Sequence, residues 1–239
     1  MKRLSYILLS LFVWLTADAQ LYEKNTLQIV ELLAADSTEK AEDLILETIK
    51  LSPQKESNAL LYQYLAEIYQ RRGEEAKAIS AYTASIDILP TERSLFFRAF
   101  LHQKARRYKE ARADYDKLLE LNPMHEDGRL GLAILNIKDG RPKEAFEQLN
   151  ALTKFFPNHA KHLLVRCGWF EERKEYEKAM KDVAKALDVE PDNPDCYLTR
   201  ASLYLAMKKK KKAAQDCRTA ISLGANAEQV ASLLAEISK

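Results

Sequence analysis

Five prolines fall at Pro53, Pro90, Pro123, Pro157 and Pro191, separated by 37, 33, 34 and 34 residues. A period near 34 is the length of a helix–turn–helix unit that stacks on copies of itself. Each proline ends a helix, because it lacks the N–H that would continue the ladder and pulls the preceding residue out of α geometry. Counting back from the last four prolines, fixed slots recur. A small residue lies 24 positions before (Ala66, Ala99, Ala133, Cys167), and an alanine 12 before (Ala78, Ala111, Ala145, Ala179). An apolar or aromatic residue lies eight before (Tyr82, Tyr115, Leu149, Val183). A fifth unit carries Ala201, Ala213 and Cys217 and ends on Ala225 where proline is due.

The physical reading is close helix approach. The small residue on the first helix and the alanine on the second bring backbones together, and large side chains fill the space around them. Four units keep a bulky residue three positions after the small one, as Tyr69, His102, Phe170 and Tyr204, while the third has Asn136. One such hairpin cannot bury its apolar face alone, so the units must stack.

Over about residues 59–225 this pattern resembles the tetratricopeptide repeat family. The resemblance implies an all-α fold, an α-solenoid wound as a right-handed superhelix. Its five repeats are expected at 59–91, 92–125, 126–159, 160–193 and 194–225. Residues 20–58 read as a degenerate N-terminal repeat, with Ala41, Ile45 and Pro53 in slot but Ile29 in the small position, where it should widen the helix spacing. Three extra residues around Pro53–Ser57 mark the join. Gly73 and Gly140 terminate first helices, whereas the other three turns are built from Lys and Arg. Residues 226–239 read as a capping helix, started by Asn226, with Val230, Leu233, Leu234 and Ile237 on its apolar face. No stretch reads as a linker, and no domain boundary is expected after residue 19.

The start of the chain has the order of a secretory signal. Lys2 and Arg3 precede the apolar stretch Leu4–Leu15, and Ala17-Asp18-Ala19 supplies a small-x-small cleavage pattern. The stretch is too short to span a bilayer, which takes about 20 residues. An uncleaved anchor is the alternative; no cysteine before Cys167 supports a lipid anchor. The expected mature protein starts at Gln20, is exported to the periplasm or cell envelope of a bacterium, and carries a formal charge of +1 rather than +2, having lost Lys2, Arg3 and Asp18. That near balance argues against a nucleic-acid partner. Cys167 and Cys217 occupy core slots, and Cys196 is expected to be the most exposed of the three thiols. No disulfide framework is indicated.

No catalytic constellation stands out: there is no phosphate loop, nucleophile elbow or His-Glu-x-x-His helix. His159 and His162 are three apart, but no Cys, Asp or Glu stands at a neighbouring spacing to complete a metal shell. The expectation is therefore no enzyme, no metal and no cofactor. The turn Lys208–Lys212 reads as solvated, or as a contact for an anionic surface.

The family resemblance implies that first helices line a concave surface. Positions three before and one, four and five after the small slot then face inward. Repeat 2 contributes Phe96, Phe100, Gln103 and Lys104, and repeat 3 Leu130, Ile134, Ile137 and Lys138. Repeat 4 contributes Leu164, Gly168, Glu171 and Glu172, and repeat 5 Leu198, Ser202, Leu205 and Ala206, whereas repeat 1 is polar with Gln63, Glu67, Gln70 and Arg71. Phe96, Phe100, Lys104, Leu130, Ile134, Ile137, Lys138 and Leu164 are the candidate partner-binding residues, with Arg93 and Lys161 nearby to steer an acidic partner. The alternative is that these side chains pack on one another. A family branch that clamps a chaperone tail uses inner basic residues and asparagines. Gln63, Glu67, Phe96 and Phe100 stand there instead, so that role does not carry over. The expected function is a non-enzymatic scaffold that binds a protein or peptide partner in its groove. The alternative is a structural subunit permanently docked in an envelope or secretion assembly.

Overall fold

A computed structural model describes residues 19–51 and 56–238. The signal-like segment and Pro53 lie outside the described residues, apart from Ala19. Thirteen helices and no strand are present among the described residues, so the fold is an all-α solenoid of helical repeats. The chain divides into two compact halves, one ending at Pro123 and one running from Met124 to Lys239, where the sequence shows no linker.

The first half holds α1 (19–34), α2 (Thr38–Leu51), α3 (Asn58–Arg71), α4 (Glu75–Ile88), α5 (Glu92–Lys104) and α6 (Tyr108–Leu121). Each helix from α2 to α5 packs on the next. Its core joins Ile29, Ala41 and Ile45 to Leu61, Ala66, Ala78 and Tyr82. Ile29 is fully buried there.

The second half holds α7 (Glu126–Lys138), α8 (Pro142–Phe155), α9 (Ala160–Glu172), α10 (Tyr176–Val189), α11 (Pro194–Ala206), α12 (Lys210–Ser222) and α13 (Ala227–Ser238). Successive helices pack in order, and α9 also touches α11, as first helices of adjacent repeats should. α13 closes this half against α11 and α12 through Val230, Leu233 and Ile237. Leu234 was expected on that face but is 37% exposed. At 100° per residue it sits at the edge of the stripe that the other three define.

The small slots Ala66, Ala99, Ala133, Cys167 and Ala201 and the alanine slots Ala78, Ala111, Ala145, Ala179 and Ala213 expose no surface. Each hairpin turn is closed the same way. The residues Gly73, Arg106, Gly140, Lys174 and Lys208 all have positive φ, between 57° and 74°. The next N–H donates to the carbonyl of Tyr69, His102, Asn136, Phe170 or Tyr204, at 2.7–2.9 Å. This is a Schellman turn. The third repeat, with Asn136 in the bulky slot, closes in the same way because the turn uses only the main-chain carbonyl.

Cys196, expected to be exposed, is fully buried against Ala160, Leu163 and Ala186. It sits in the first turn of α11, where the preceding repeat covers it.

Candidate functional site

The inward positions of the first half are only partly open. Phe96 is half-buried, edge-on to Phe97 at 5.3 Å and to Tyr115 at 6.4 Å, whereas Phe100 is 45% exposed. The basic residues expected to steer a partner are already paired. Arg93 holds Glu67 at 2.7 Å and lies over the Phe97 ring, and Lys104 bonds Glu75. Between α3 and α5 a cavity of about 280 Å³ is lined by Glu67, Gln70, Arg71, Arg93 and Phe97.

In the second half Leu130 is buried core rather than surface, at 5% exposed. Ile134, Ile137 and Leu164 are partly buried against the same core, which includes Trp169 and Phe170, while Lys138 is exposed. Lys161 lies 4.0 Å from Asp127. The open part of the inner surface lies further along the chain. A cleft of about 700 Å³ is built from α9, α11 and α13. Its lining includes Leu164, Gly168, Glu171, Leu198 and Ser202, all at inward positions of repeats 4 and 5, with α13 adding Glu228, Gln229, Ser232 and Leu233 as a wall.

The charge of this cleft differs from the expected basic rim. Glu171, Asp195 and Glu228 line it, with no lysine or arginine. Ser202 donates to Glu171 Oε1 at 2.8 Å, fixing one carboxylate on the cleft floor. Glu171 comes from α9 and Asp195 from α11, and α13 adds Glu228 in its first turn, started by Asn226, which caps the helix by accepting from the Glu228 and Gln229 N–H groups.

Two sets of residues were not found by sequence reading. The first is a repeated ion pair, Arg98–Asp114, Arg166–Asp182 and Arg200–Asp216, each 16 residues apart. The arginine stands just before the small slot and the aspartate three after the alanine slot, so a search for charges in register would have found it. The second is Glu126, which lies 33 residues before His159 yet reaches both His159 and His162. No carboxylate stands near the histidine pair in sequence; the preceding repeat supplies one.

At Lys208–Lys212 the run occupies the turn and the start of α12, and Lys212 lies over the Tyr204 ring at 5.5 Å. The second helices of the other four repeats each have a glutamate in the first turn, as Glu75, Glu110, Glu144 and Glu177, and α12 has none.

Two stretches of the chain, residues 102–167 and 171–237, match the tetratricopeptide repeat family and together cover over half of it. Small glutamine-rich tetratricopeptide repeat-containing protein 2 of Saccharomyces cerevisiae is 27% identical over 119 residues, 49% of this chain and 32% of that protein. The chain spans less than half the length of the curated relatives it matches. Among solved structures, PilW, a type IV pilus biogenesis factor, shares the fold with a TM-score of 0.71 at 19% identity, covering 90% of this chain and 99% of its own. Pseudomonas aeruginosa PilF gives 0.69 at 16% identity, covering 92% and 99%.

Proposed function

The chain belongs to the tetratricopeptide repeat family, and from that premise we propose that it is an exported, non-enzymatic interaction scaffold that holds a segment of a partner protein against the inner helices of repeats 4 and 5. The observation that carries this reading is the cleft between α9, α11 and α13, whose lining falls on the inward positions of two adjacent repeats. Three carboxylates and the side chains of Leu164, Leu198 and Leu233 make it suited to a short segment with a basic residue or free amino group beside an apolar one. Export rests on the charge–apolar–small order of the first twenty residues. No helix among the described residues is long and apolar enough to cross a membrane.

Gly168 gives a clean test. A Cβ built there meets nothing within 4 Å, so Gly168→Leu projects its side chain from open space into the cleft and replaces glycine inside a helix. The variant should fold and lose partner capture in intact-cell cross-linking read by mass spectrometry. Recovery of the same partners at the same yield would show that this cleft is not the binding face. Export is tested by N-terminal sequencing of cell-derived protein, which should begin at Gln20; retention of Met1 overturns it.

The second reading is a subunit permanently docked in an envelope assembly. It is supported by the shared fold with PilW, itself a pilus biogenesis factor. A docked subunit should co-purify at fixed stoichiometry and resist release by salt, whereas a peptide receptor with a carboxylate-lined cleft should release its partner as salt rises.

A further inference from the structure

His125 and His159 stand at equivalent places one repeat apart, at the starts of α7 and α9, and do different work. His125 Nδ1 accepts from the Gly128 N–H at 3.0 Å and caps its helix. His159 makes no cap bond; its Nδ1 lies 2.6 Å from Glu126 Oε1. Close by on α9, His162 is stacked on His159 with ring centres 5.4 Å apart and is held edge-on by Phe156 at 5.7 Å. Its side chain is 1% exposed. Nε2 comes within 3.0 Å of the same Glu126 oxygen but outside hydrogen-bond geometry, so both ring nitrogens are buried and unbonded. A buried imidazole with no partner is disfavoured unless something else satisfies it.

We propose that Glu126, His159 and His162 form a binding site for a divalent transition metal, with Zn²⁺ as the reference ion. One donor atom from each residue lies within 4.8 Å of the others. Tetrahedral ligands at zinc distances sit about 3.3 Å apart, so modest rotation of the outer two side chains closes the shell. Those two are the ones able to move: His159 is 50% exposed and Glu126 32%, while His162 is fixed by packing. Two imidazoles and one carboxylate suit zinc and its late first-row neighbours rather than magnesium or calcium, which take oxygen shells. Three protein ligands with a solvent-facing side leave a fourth position for water or a partner's side chain. The start of α9 presents a positive helix end that opposes a cation. The Glu126 carboxylate offsets it, and the site should bind more weakly than a closed four-ligand one.

The test is equilibrium dialysis of the full chain against Zn²⁺, with a melting curve in parallel. One ion per chain is expected, with a rise in Tm on addition. Glu126→Gln and His159→Asn change a partly exposed and an exposed side chain and leave the buried histidine in place. Each should weaken binding by about tenfold or more and abolish the zinc-dependent rise in Tm, with unchanged helical circular dichroism. Wild-type protein binding no stoichiometric zinc overturns the proposal. So does equal binding by both variants, which would put the ion elsewhere on the chain.

Discussion

Arg166 grips Asp182 with two parallel N–H···O bonds, from Nε at 2.8 Å and from Nη2 at 2.7 Å. Its remaining nitrogen donates to Asn150 Oδ1 at 2.9 Å and to the Thr153 hydroxyl. The aspartate side chain is 8% exposed, so the pair ties both helices of repeat 4 to the second helix of repeat 3 in a place with little water. Such a fork-on-fork arrangement fixes geometry as well as adding energy. Repeats 2 and 5 use the same device. Repeat 3 has Leu132 and Gln148 at the matching positions, and repeat 1 Leu65 and Ala81.

That substitution within one chain sets up a prediction. Asp182→Gln deprives the mostly buried Arg166 guanidinium of its carboxylate and should cost about 3 kcal/mol. Replacing both, as Arg166→Leu with Asp182→Gln, installs the repeat 3 pair and should recover most of the loss. Urea melts of the two singles and the double, read as a double-mutant cycle, check it. A double variant as unstable as the sum of the singles would count against the coupling.

The turns give a second. Arg106, Lys174 and Lys208 hold the left-handed conformation that Gly73 and Gly140 hold at the equivalent place. That conformation costs an L-residue with a Cβ roughly 1–2 kcal/mol. Lys174→Gly should therefore stabilise the protein by up to about 1 kcal/mol after the added unfolded-chain entropy. Gly140→Ala should destabilise it by about 1 kcal/mol, although a Cβ there meets nothing within 4 Å. Thermal melts of both decide it, since opposite signs are expected.

Ala111 and Ala145 expose no surface at the helix contacts of repeats 2 and 3. Leucine at either should overpack the interface and cost about 1–3 kcal/mol. An unchanged urea midpoint in both variants would show slack where none is expected.

The three thiols supply a pH-dependent test. Burial pushes Cys167 up to about 12 and Cys196 to about 11, and raises Cys217 as well. All three should resist a thiol reagent at pH 8 in the native state and react together in denaturant. A thiol pKa raised on folding contributes stability that is whole below the unfolded value, about 8.5, and is lost as pH climbs through the folded one. Unfolding free energy should therefore decline above about pH 8.5, and replacing Cys196 with alanine should flatten that decline.

The repeat was legible in the sequence because it is written in local terms. Ala99 and Ala111 recur in register as Ala133 and Ala145, and the close helix approach they allow is a property of residue size. Turn glycines and proline stops are likewise short-range chemistry, so helix order and the buried slots could be read directly. What the sequence left open is what lies beside what across repeats. Cys196 looked exposed in its own helix and is covered by Ala160 and Ala186 of the repeat before. Leu130 sat at an inward position and is taken up by the core. The cleft brings Glu228 of α13 beside Glu171 of α9 and Asp195 of α11, and His159 acquires Glu126 from 33 residues upstream. Periodicity determines which face of a helix is buried. Only the stacking of one hairpin on the next decides which charged side chains meet over that face, because a contact depends on three-dimensional distance and not on separation along the chain.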